Sequence, residues 1–214
     1  MKKYFYIFLI LFPGSIYAQH PTQGVKLIQY AFDEFTPGNV KMKSGETSSQ
    51  ILNYNIVTNE MIFDNNGTYL AIAQPENVDT VYISDRKFIP LNNKFYEVLV
   101  NGKMPLLLEF TATILEPGTP TGYGGTSRTT AAQAFKSLIN TGGAYSLKAP
   151  DGFKVIQGYN FLIMKNNQLQ KAGSETQLEK IFSDKKEIIK DFVKKNKTNF
   201  SKREDMIALI KQVE

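Results

Sequence analysis

Residues 91–103 read LNNKFYEVLVNGK, and this stretch decides the fold class. Within it Lys94–Val100 alternates: Phe95, Glu97 and Leu99 fall on one side of an extended chain, and Tyr96, Val98 and Val100 on the other. Alternation with a period of two is the pattern of a strand. The second set is wholly apolar and is expected to face inward. Turn dipeptides close both ends, Asn92-Asn93 before and Asn101-Gly102 after. Asn-Gly suits a tight hairpin because both central residues of such a turn need positive φ.

The same pattern repeats outward from this strand. Apolar runs at 51–57, 60–63, 68–73, 79–83 and 87–89 precede it, and Leu106–Leu115 follows. Turn signals separate them at 64–67, 74–77 and 84–86, the first ending in Asn66-Gly67. Two Asn-Gly pairs among short strands predict sequential antiparallel pairing, a meander and not a βαβ sheet. Upstream, residues 25–32 read as a strand or a short amphipathic turn. Residues 36–49 read as a loop, because Pro37, Gly38, Ser44 and Gly45 interrupt them. Downstream, residues 116–152 form a Gly/Thr/Pro-rich excursion with a short helix expected over 130–140. Its length marks it as a functional loop or a flexible one. Strands resume at 153–157 and 160–165, and Asn166-Asn167 turns the chain into 169–171.

From Ser174 the apolar period becomes helical, through Leu178, Ile181 and Phe182, then Ile188, Ile189, Phe192 and Val193, then Met206, Ile207, Leu209, Ile210 and Val213. Ser174 with Gln177 and Ser201 with Glu204 have the spacing of capping boxes, and Asp184 with Glu187 restarts the middle helix. The expected architecture is α+β. An antiparallel β-meander, curved or barrel-like, occupies 19–171, and a small helical cluster follows over 172–214.

The first residues give an address. Lys2 and Lys3, the apolar run 4–12, the break at Pro13-Gly14 and the small Ala18 have the order of a secretory signal peptide over 1–18. The run is shorter than the roughly 20 residues a bilayer span needs. The chain is therefore expected to be exported, to begin at Gln19 after cleavage, and to be soluble in the periplasm or outside the cell.

Composition removes most familiar chemistries. There is no cysteine, so disulfides, thiolate metal sites and a cysteine nucleophile are excluded. The one histidine, His20, stands beside the expected cleavage site, where it can serve neither a Ser-His-Asp arrangement nor a histidine-ligated metal. No metal and no cofactor is expected. The formal charge of +5 falls to +3 without Lys2 and Lys3, and the remaining lysines are interleaved with acids. No basic stripe for nucleic acid results.

The best local candidate for a binding site is Tyr123, Gly124, Gly125, Thr126, Ser127 and Arg128. The glycines let the backbone approach a ligand, and Arg128 can grip a carboxylate or phosphate. It is not a nucleophile elbow, because Thr129 stands where G-x-S-x-G needs its final glycine. It is not a P-loop, because the Lys-Ser/Thr ending is missing. Glu97 and Glu109, on neighbouring strands, invite a glycosidase reading, which needs two carboxylates about 5–10 Å apart across a cleft. Asp79-Thr80-Val81 has the Asp-Thr-apolar form of a bacterial O-glycosylation acceptor.

The helical segment 178–213, with KIFSDKKE at 180–187 and FVKKNK at 192–197, resembles the C-terminal segment of a family of uncharacterised exported proteins from Bacteroidetes-type bacteria. The loop Tyr123-Gly124-Gly125-Thr126-Ser127 and the strand and turn at 94–103 resemble the same family. The resemblance implies an envelope or secreted protein with a β-rich body and a helical tail, and it transfers no catalytic residues. The function expected from all of this is non-catalytic: a binding or structural component of the cell envelope, partnered by another envelope protein or a glycan. The alternative is a histidine-independent, glycosidase-like hydrolase working through Asp or Glu.

Overall fold

The computed structural model describes residues 25–117 and 128–214, without the side chains of residues 128–130. Twelve strands form one antiparallel sheet: β1 (Thr36–Met42), β2 (Thr47–Asn55), β3 (Glu60–Asn65), β4 (Thr68–Ala71), β5 (Val78–Ile83), β6 (Arg86–Leu91), β7 (Lys94–Val100), β8 (Leu106–Leu115), β9 (Asn140–Thr141), β10 (Ala144–Tyr145), β11 (Lys154–Lys165) and β12 (Gln168–Lys171). Helix α1 (Arg128–Ile139) precedes β9, and α2 (Glu175–Ile181), α3 (Lys186–Asn196) and α4 (Arg203–Val213) close the chain. The spatial order is β12-β11-β8-β7-β6-β5-β1-β2-β3-β4-β10-β9. The α+β expectation and the meander are both present.

Two-residue turns set most of the register. Asn66-Gly67, Asn92-Asn93, Gly142-Gly143 and Asn166-Asn167 each hold two consecutive residues at positive φ. They join the pairs Asn65↔Thr68, Leu91↔Lys94, Thr141↔Ala144 and Lys165↔Gln168. Asn tolerates the left-handed region better than other side chains, so Asn-Asn does here what Asn-Gly does elsewhere. Asn101-Gly102 is different. It opens a longer connection between Val100 and Leu106, and Gly102 packs against the Glu214 carboxylate, which accepts a hydrogen bond from Met104 N at 2.8 Å.

The sheet curls back on itself. Tyr54 on β2 lies 5.7 Å, centroid to centroid, from Phe110 on β8, five strands away. A flat sheet would separate those strands by roughly 24 Å. The curl encloses one core of Tyr30, Phe35, Leu52, Tyr54, Ile62, Ile83, Phe88 and Phe95. Helix α1 lies against it through the buried Ala131, Phe135 and Ile139, and Phe135 packs edge-on to Phe153 at 5.5 Å. The long strands β8 and β11 extend beyond the curl. There, Leu106, Leu108, Phe161 and Ile163 carry a second core with Leu178, Ile181, Phe182, Ile189, Met206, Leu209 and Ile210 of the last three helices.

Residues 36–49, expected as a loop, contain a central strand. Pro37 pairs only with Ile51 of β2, and contact with β5 begins at Gly38↔Ile83, so the missing proline N–H leaves no gap. Gly38 is there because a Cβ would collide with the carbonyl of Tyr82. The expected break between 157 and 160 is also absent: β11 runs unbroken through Gly158.

A free strand edge and the groove at its end

In β7 the residue facing the core is the one the alternation assigned outward. Glu97 is 1 % exposed, and Phe95, on the same face, is 2 % exposed. The other face is covered as well: Tyr96 packs with Leu107 and Leu162, while a bulge between Val98 and Val100 turns Val100 into the helical core. Glu97 is tolerated inside because two guanidinium groups satisfy it. Arg86 donates from Nε at 2.9 Å and from Nη2 at 2.7 Å. Arg203, the first residue of α4, donates from Nη1 at 2.9 Å and through a second contact from Nη2. Arg86 also lies 4.4 Å from the ring centre of Phe32, with Phe88 and Phe110 close by. A planar guanidinium can stack and fork at once. This cluster joins the curled core to the helical cluster.

Glu109 is not part of it. Glu97 pairs with Leu108, so Glu109 points to the opposite face of the sheet. There it meets Lys94 Nζ at 3.2 Å and accepts from Asn160 Nδ2 at 3.2 Å. The two carboxylates therefore do not flank a common cleft. Thr80 is 5 % exposed in β5, out of reach of a modifying enzyme once the chain has folded. Of the sequence-derived loop, Tyr123, Gly124, Gly125, Thr126 and Ser127 lie outside the described residues, and Arg128 begins α1 with its side chain undescribed.

Tyrosines line the closed part of the curl. Burial pushes the phenols of Tyr30 and Tyr54 well above their ordinary range. Tyr145 donates to Glu60 across β10 and β3, and burial first, then that carboxylate, raise its pKa to about 12. Neutral phenols are the form this interior holds.

The open part of the sheet is the outer edge of β11. On one side β11 pairs with β8 from Lys154↔Leu115 to Ile163↔Leu106. On the other, β12 covers only Leu162–Lys165, and Ala172 N adds a bond to the carbonyl of Phe161. Backbone groups in an antiparallel strand alternate in direction. Met164 N bonds toward β8, at Pro105, and Phe161 O toward β12, so odd-numbered residues point outward. The N–H and C=O groups of Val155, Gln157 and Tyr159 thus meet no partner among the described residues. Ile156 and Tyr159 are 55 % and 43 % exposed along this edge.

The edge runs into a groove of about 450 Å³. Gly158, Tyr159, Asn160 and Phe161 form its floor, Lys171, Gly173 and Gln177 one wall, and Phe200 and Ser201 the other. Local structure fixes both walls. Ser174 caps α2 by accepting from Gln177 N at 3.3 Å, and Gln177 Oε1 accepts from Gly173 N at 2.8 Å. Lys197, at φ 50°, ends α3, and the following loop is wound on itself. Asn199 N donates to Asp205, and Ser201 N donates to Asn199. Tyr159 Oη donates to Ser201 O at 2.7 Å and ties that wall to β11.

No protein family, curated protein or solved structure matches this chain. Its function must be argued from its own geometry. Among the described residues no helix is long and apolar enough to cross a membrane. Sequence reasoning missed the edge and groove because neither has a motif. The one signal was that a single short apolar run, 169–171, follows the two expected at 153–157 and 160–165 and is too short to pair with both.

Proposed function

We propose that this is an exported, non-catalytic binding protein of the cell envelope that captures an extended segment of a partner polypeptide by adding it to the sheet at β11. The edge of Lys154–Asn160, unpaired among the described residues, carries the reading. It offers three donors and three acceptors at strand spacing, and main-chain pairing of this kind supplies affinity while neighbouring pockets supply selectivity. Natural sheets ordinarily cover or blunt such an edge, so one left open beside a groove favours use. The separation of Glu97 and Glu109 onto opposite faces removes the one carboxylate pair the sequence offered for the glycosidase alternative. The order of residues 1–18 supports the compartment. Amino-terminal sequencing of the native protein tests the compartment directly: Gln19 as first residue agrees, and Met1 contradicts it.

Gln157→Pro removes an outward N–H, and Gln157→Ala removes the same side chain but keeps that N–H. In both, the side-chain bonds from Gln157 to the carbonyls of Ile28 and Tyr30 are lost. Short random peptides, displayed both as internal segments and with free carboxyl ends, are panned on the mature protein. Wild type and Gln157→Ala are expected to enrich common sequences, and Gln157→Pro to enrich none of them. No enrichment by wild type, or equal enrichment by all three, overturns the proposal.

A further inference from the structure

We infer that the captured segment is the carboxyl terminus of its polypeptide, running parallel to β11, with the terminal carboxylate seated in the groove between Lys171 and Gln177. This rests on the strand-addition reading above and deepens it. Two observations carry it.

The first is steric. A strand laid along Val155, Gln157 and Tyr159 is collinear with β12, and β12 already occupies the edge from Phe161 onward. The incoming chain cannot continue in register past the groove, so it must end or turn away there. A chain parallel to β11 reaches this point with its carboxyl end, an antiparallel one with its amino end.

The second is electrostatic. Among the lining residues one is charged, Lys171, which pairs with Leu162 and so stands on the Asn160 face of the sheet, and none is a carboxylate. Lys171 is exposed and forms no ion pair among the described residues. Gln177 Oε1 accepts from Gly173 N, which turns the amide so that its NH₂ group, with no partner among the described residues, is left to donate. Lys197 and Lys202 flank the Phe200–Ser201 wall. Asp205 is held by Asn199 N, and Glu109 is matched by Lys94 and Asn160. The one formal charge in the lining is an ammonium, while Asn160 Oδ1 and Ser201 Oγ beside it are neutral, so the groove suits a carboxylate and repels an ammonium. That selects the parallel direction. Tyr159 and Phe200 beside it offer aromatic surface to the last side chain.

The test uses the peptides enriched by wild type, synthesised with a free carboxylate and as the C-terminal amide. The free acid is expected to bind at least about tenfold more tightly than the amide, the size of one charge-assisted hydrogen bond. Lys171→Ala, at an exposed position, is expected to make acid and amide bind alike. If the amide binds wild type as tightly as the acid, or the enriched peptides come from the internal-segment library, the terminus inference is overturned, while loss of binding in Gln157→Pro still upholds strand addition. If acid-dependent binding survives Gln157→Pro, strand addition itself is overturned. If alginate, an anionic polysaccharide, displaces the peptides and binds Gln157→Pro as well as wild type, the groove serves a glycan and both readings fall.

Discussion

Glu97 is the residue on which the two halves of the molecule depend. Its carboxylate is buried beneath Arg86 and Arg203, whose side chains are 20 % and 32 % exposed. Removing one member of a buried ionic cluster strands the others without compensation. Glu97→Ala is expected to lower unfolding stability by about 3 kcal/mol in urea titration; a loss below about 1 kcal/mol would mean the guanidinium groups find water instead. The tyrosines make a separate prediction at this scale. Tyr145 holds its proton to about pH 12 when folded, against an ordinary value near 10. Its stabilisation is therefore complete below about pH 10 and is lost as pH rises from there toward 12, because the unfolded chain releases the proton first. The stability difference between wild type and Tyr145→Phe should shrink over that window. A constant difference would place Tyr145 at an ordinary pKa.

Among the elements, the helix starts separate a cap in sequence from a cap in space. Ser174 accepts from Gln177 N as its spacing predicts, and Ser174→Ala should cost about 1 kcal/mol. Ser201 has the same spacing to Glu204, yet α4 begins at Arg203 after Lys202, with no side-chain cap. Ser201→Ala should therefore stay within about 0.5 kcal/mol of wild type in thermal unfolding. The same contrast explains what could be read from the chain. Alternation and turn dipeptides located most strands, because both act through nearest neighbours. They missed β1, because Pro37 and Gly38 are permitted by how β2 and β5 lie against them, which is a tertiary fact. They put Glu97 outside for the same reason: its partners are Arg86 and Arg203, the latter 106 residues away. Residues 123–128 were legible only as composition, and the edge of β11 was not legible, because a pairing left incomplete has no motif.

At the scale of the fold, the curl, the helical cluster and β12 leave the edge of Lys154–Asn160 unpaired among the described residues. One edge of the fold is closed by only two residues of β9, and the other by a β12 that stops at Lys171. The groove lies where that cover ends, framed by a capped helix and a loop tied down through Tyr159. Strand addition therefore depends on the alternation of backbone groups along β11. Amide hydrogen exchange measures it residue by residue, in the free protein and with an enriched peptide bound. The prediction is fast exchange at Val155, Gln157 and Tyr159 in the free protein, slow exchange at Ile156 and Gly158 between them, and protection of the first three when the peptide binds. Uniform protection in the free protein, or no change at those three amides on binding, would contradict it.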